Sequence, residues 1–135
     1  MKLKSGSLIA ASLSLILGAA PLVAHHSNTA EFDRIKKVEL TGAVTKVEWA
    51  NPHARFYIDA KNDKGVMVNW NFELGSPNGL MRLGWSRNSL KIGTIVTVVG
   101  TLAKNSPYVG NASTVTIEGG KRLFAGSSEG DPNTP

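Results

Sequence analysis

An all-β domain carrying one short helix is what this sequence predicts, and three observations lead there. Most of the chain after residue 37 consists of short runs of β-branched and aromatic residues bounded by Gly, Pro, Asn and Asp. One run, residues 66–74, alternates apolar and polar side chains without a break. Only residues 76–84 combine helix-start and helix-stop signals around apolar residues one turn apart.

The first run, VELTGAVTKVEW at 38–49, changes parity: Val38, Leu40 and Val44 share one face, Val47 and Trp49 the other. A half-buried strand switches register only through an extra residue, so a β-bulge is expected between Gly42 and Lys46. Asn51-Pro52-His53 then ends the strand, because Pro52 donates no hydrogen bond and restricts Asn51 to extended or turn geometry. RFYIDA resumes it with Phe56 and Ile58 on one side, and NDKG at 62–65 signals a hairpin.

In the alternating run, Val66, Val68, Trp70, Phe72 and Leu74 form the core face, and Met67, Asn69, Asn71 and Glu73 the polar face. A two-turn helix follows, with Ser76 as cap, Pro77 in the first turn, Leu80, Met81 and Leu83 as its apolar residues and Gly84 as its end. A turn at Lys91 to Gly93 leads into a nearly continuous apolar strand, and STVTIEGGKRLF gives a last strand with a hairpin or extension. Residues 126–135 are small, polar and proline-bearing, the composition of a disordered tail.

Five strands with a helix between the third and fourth is the layout of an OB-fold-like Greek-key barrel, the oligonucleotide/oligosaccharide-binding architecture. A flat meander or a small sandwich shares the same strand order. The 135 residues allow one compact domain.

The opening of the chain reads differently. Lys2 and Lys4 precede an uncharged apolar run from Leu8 to Ala20, the build of a secretory signal peptide spanning residues 1–24. The run is shorter than the roughly 20 residues a bilayer span needs. Ala20 is a poor cleavage position because Pro21 follows it, so cleavage after Ala24 is expected, giving a periplasmic or secreted protein that starts at His25 with no membrane span. Losing Lys2 and Lys4 lowers the net charge from +5 to +3, too mild for a dedicated nucleic-acid binder.

That cleavage would give His25 a free α-amine. An amine and the Nδ1 of its own imidazole can close a chelate ring on one metal ion, and His26 adds a second ring beside it. The third histidine of the chain, His53, sits in the loop after the first strand, one of the loops that line the binding face in this fold. Residues 25–37 are therefore read as an N-terminal metal-binding segment and 38–125 as the barrel, with His25, His26 and His53 as ligands. A nitrogen-rich set favours divalent copper, with zinc and nickel below it. Glu31, Asp33, Glu48, Trp49 and Asn51 are the candidates to orient an imidazole or shield the site.

With no cysteine, disulfides, thiolate metal sites and cysteine nucleophiles are excluded. No spacing supports a Ser-His-Asp triad, and there is no glycine-rich phosphate loop. Met67 and Met81 offer thioethers, but fit a polar strand face and the helix core. Arg87-Asn88-Ser89 reads as loop structure, and Asn111-Ala112-Ser113 matches a glycosylation acceptor by pattern alone.

The stretches AHHSNTAEFD, LTGAVTKVEWANPHARFYIDA, VNWNFELGSPNGLMRLGWSRNSLKIGTIVTVVG and GKRLFAGSS together resemble the small exported bacterial proteins of domain-of-unknown-function family 6152, from about Ala24 to Ser128. The carrying motifs are His25-His26-Ser27, the loop of Trp49, Asn51, Pro52 and His53, and Phe72-Glu73-Leu74-Gly75-Ser76-Pro77. Trp85, Arg87, Asn88 and Ser89 also match. Asn28 stands where the family commonly has an aromatic, and Arg55 where it often has a bulkier apolar residue. The resemblance implies a secreted OB-like domain and names no activity or substrate.

The expectation is therefore a copper-binding protein for storage, delivery or protection, a binder rather than an enzyme, with a metal ion and a periplasmic protein as partners. The alternative is a metal-free binding module whose barrel face, through Trp49, Arg55, Tyr57 and nearby lysines, holds a partner protein, glycan or anionic polymer.

Overall fold

The computed structural model describes residues 31–126. His25, His26, the signal segment and residues 127–135 lie outside the described residues. Six strands and one helix follow in order: β1 (Phe32–Glu48), β2 (Arg55–Lys61), β3 (Met67–Glu73), α1 (Pro77–Arg82), β4 (Ile95–Ala103), β5 (Val109–Ile117) and β6 (Arg122–Phe124).

The pairing order is β3-β2-β1-β4-β5-β6, and β3 also pairs with β5, in parallel, through Asn71↔Val109, Phe72↔Gly110 and Glu73↔Asn111. That contact closes β1 to β5 into a ring, and together with a helix between β3 and β4 it is the five-stranded OB-type barrel expected from the sequence. β6 extends the sheet beside β5. Among the described residues no helix is long and apolar enough to cross a membrane.

The sequence explains most of these elements. The expected bulge is present as a register shift between Val44 and Lys46 against β2, which lets Val44 point into the core while Val47 packs on it from the opposite parity. Asn62 builds the β2–β3 turn, its carboxamide oxygen accepting from the backbone of Lys64 and Val66 while Gly65 takes φ 76°. Ser76 caps α1 by accepting from the Gly79 backbone, with Pro77 in the first turn. Phe56, Ile58, Trp70, Phe72, Leu80, Val96, Val98 and Val115 fill the interior.

Closure requires a residue without a side chain. A Cβ on Gly110 would stand 2.7 Å from the Phe72 ring and 3.0 Å from the Thr101 carbonyl oxygen, so only glycine lets β5 approach β3.

Three expectations are corrected. β1 starts at Phe32, not at residue 38, so residues 32–37, read as part of the metal-binding segment, are strand paired to β4. Nothing in the apolar pattern marks this, because residues 34–36 bulge out between Asp33↔Leu102 and Lys37↔Thr101 and leave Ile35 90% exposed. Met81, assigned to the helix core, is 52% exposed; Leu80 alone of the central turn is fully buried. Glu73, assigned to a solvated face, is 7% exposed.

Candidate functional site

The β1–β2–β3 surface carries its polar residues in cross-strand rows, because side chains two apart on a strand share a face. One row is Glu48–Arg55–Glu73 and the next Lys46–Tyr57–Asn71. Arg55, at the centre of the first, places its guanidinium 2.5 Å from Glu73 Oε2 and 3.5 Å from Asn71 Oδ1. At the outer end Lys46 Nζ lies 2.5 Å from Glu48 Oε1, and Tyr57 donates to Glu48 Oε2 at 3.4 Å. Hydrogen bonding to Lys46 lowers the Glu48 pKa, and the same bond raises that of Lys46.

At the inner end of the first row, where β3 runs into α1, stands His53. The Ala54 amide donates to the Gly75 carbonyl and the Leu74 amide to the Ala54 carbonyl, which holds the His53 loop against the end of β3. His53 Nδ1 lies 3.2 Å from the Leu74 carbonyl oxygen and 3.7 Å from Glu73 Oε1. A carbonyl oxygen can only accept, so Nδ1 carries the proton and the Nε2 lone pair is left to the other side of the ring. The His53 side chain is 51% exposed.

Glu73 behind it is perturbed. Burial raises the pKa of its carboxyl, outweighing the lowering effect of the Arg55 guanidinium beside it. Glu31 itself is fixed immediately before β1, where its carbonyl accepts from the Lys104 amide. Next to Glu73 across the parallel seam, Asn111 is 2% exposed and its Oδ1 has no hydrogen-bond partner among the described residues.

The sequence candidates thus divide. His53 stands beside Glu73, while Glu31 lies immediately before β1 and bonds through its carbonyl to Lys104. Glu48 belongs to the same row but is engaged by Lys46 and Tyr57. Trp49 is half-buried against the core, Asn51 is exposed, and Asp33 accepts from the Ile35 backbone in the β1 bulge. His25 and His26 lie outside the described residues. Among those described, no group of three or more His, Cys, Asp or Glu side chains is arranged to hold a metal ion. Ser86, Asn88 and Ser89 bond to one another, which makes that segment loop structure as expected. Asn111 is buried within β5, so the glycosylation pattern has no accessible acceptor.

Sequence reasoning missed Glu73 and Asn111, and placed Arg55 on a binding face without its partner Glu73. The Arg55–Glu73 pairing depends on the β2–β3 register, but the Phe-Glu-Leu-Gly-Ser-Pro motif already placed an acid directly before a helix start.

A family of unknown function, DUF6152, matches residues 12–113, and the chain belongs to that family. No curated protein matches the sequence. Among solved structures, a mitochondrial single-stranded DNA binding protein from S. cerevisiae is similar at 12% identity, over 62% of this chain and 93% of that one, with a TM-score of 0.47.

Proposed function

We propose that the protein binds copper where its N-terminal segment meets the β1–β2 loop, with His53 as the ligand the barrel supplies and the His25 amine, the His25 imidazole and His26 as the remainder. The observation that carries this is the state of His53: its Nδ1 is tied to the Leu74 carbonyl and backed by Glu73, while the ring is half in solvent. Metal-binding histidines are commonly held this way, with the second nitrogen donating to a carbonyl or carboxylate so that tautomer and ring angle are fixed.

A nitrogen-rich donor set selects copper over zinc and nickel by affinity, and storage, delivery or protection in the periplasm is the role that fits. The experiment compares protein starting at His25, the same protein with one added N-terminal alanine, and His53→Gln. Divalent copper is titrated into each and nitrogen coordination is read by electron paramagnetic resonance. The proposal expects a tight multi-nitrogen signal for the first and its loss or weakening in the other two. A signal indifferent to both changes would overturn it.

A further inference from the structure

The start of β1 and the ends of β2 and β4 border a cavity. β1 pairs with β2 only from Ala43 onward, while Lys37 to Ala43 pair with β4, so β1 and the end of β2 diverge and leave a wedge between them. A cavity of about 850 Å³ occupies this wedge and continues under the β4–β5 loop. Its size falls within the ordinary range for small-molecule sites, and barrel mouths are common places for them.

Its chemistry is two-sided. The floor is apolar, formed by Val38, Leu40, Leu102 and the edge of Trp70. The rim carries Lys36, Lys37, Lys61 and Lys104 against two acids, Glu39 and Asp63. Lys36, Lys37 and Lys61 form no ion pair among the described residues.

A second, independent observation concerns the wall. Tyr108 has φ 57°, the left-handed region that a bulky side chain rarely adopts. Its carbonyl accepts from the Asn71 amide, and its ring meets Trp70 edge-on at 5.2 Å while staying 41% exposed. Backbone strain of this kind tends to collect at ligand sites, where the position of a side chain matters more than the cost of holding it. Here it holds Tyr108 in the cavity wall.

We infer that this mouth binds a small organic anion with an apolar body, an acyl or aryl carboxylate or sulfonate, its acid group met by Lys37 and Lys61 and its body lying on Tyr108, Trp70 and Leu40. The site uses none of the residues assigned to copper.

The test uses decanoate as probe, with decyltrimethylammonium and acetate as controls for charge and for body. Binding is followed through the indole N–H resonances of the three tryptophans. Decanoate is expected to shift the Trp70 signal, whose N–H donates to the Ala60 carbonyl, and to leave that of Trp85 in place. The affinity should fall with added salt and by about tenfold in the Lys37→Gln/Lys61→Gln double variant. Tyr108→Gly, which removes the ring while relieving the left-handed φ, should weaken binding in protein that stays folded by circular dichroism. Equal response to the cationic control, no Trp70 shift up to millimolar decanoate, or full affinity in the lysine double variant would overturn the inference. Copper titration of the same variants, expected unchanged, keeps it separable from the metal proposal.

Discussion

Glu73 and Asn111 stand opposite each other across the parallel seam that closes the barrel, and both are buried. A carboxyl group and a carboxamide oxygen without a partner among the described residues therefore share the β3–β5 junction that closes the ring, and the protonation of Glu73 becomes part of the stability of the fold.

Burial disfavours the charged form of Glu73 in the folded state, so its pKa lies above the unfolded value near 4.5. Stability from this group is fully present below that value and is lost as pH climbs through the raised folded pKa. Glu73→Gln is neutral throughout. It should flatten the decline of the denaturation midpoint from about pH 4.5 upward, measured by urea unfolding at a series of pH values. An unchanged slope would mean that Arg55 fully compensates the buried charge.

Asn111→Asp sets a second carboxyl beside Glu73 with no cation assigned to it. Leaving such a charge buried costs about 3 kcal/mol at neutral pH. The loss should shrink in acid, where both groups take up protons, and the same unfolding series reads it.

The Glu73 carboxylate also supports His53 as a ligand. Removing a partner of this type lowers metal affinity by roughly 10- to 100-fold. Glu73→Gln should fall near the lower end for copper, because the Leu74 carbonyl still fixes the ring. Calorimetric titration checks this. His53→Gln should change stability by less than about 0.5 kcal/mol, since the side chain is half exposed.

Gly110→Ala forces a methyl group toward the Phe72 ring and the Thr101 carbonyl. Overpacking at such a site costs about 1–3 kcal/mol, and hydrogen exchange should show the loss first at the β3–β5 seam.

The Trp85 indole donates to the Phe124 carbonyl at 2.6 Å and so fastens β6 to the loop after α1. Trp85→Phe keeps most of the ring and removes the donor. A cost of about 1–2 kcal/mol is expected, with faster amide exchange at Leu123 and Ala125.

What could be read in advance follows from where the information resides. The bulge, the turn at Asn62, the Ser76 cap and the alternation through Trp70 and Phe72 are local, written within a few residues. Phe32 as a strand residue was hidden because the bulge at 34–36 scrambles periodicity, and its partner Ala103 lies far along the chain. Glu73 was misread for a related reason: a carboxylate in an alternating strand looks solvated until the register sets Arg55 and Asn111 beside it. His53 was legible as a candidate, but its tautomer was not, because the Leu74 carbonyl reaches it only through the tertiary fold.

The double pairing of β1 also bears on how the chain reaches this shape. One strand is shared between β2, its near neighbour in sequence, and β4, which begins only at Ile95. A β1–β2–β3 meander can assemble early from local contacts, but the first half of β1 must wait for a partner many residues later. Such distant pairings slow folding toward the millisecond-to-second range. Until β4 arrives, the Phe32 to Leu40 edge stays unzipped, and the nascent protein is an open curl rather than a ring.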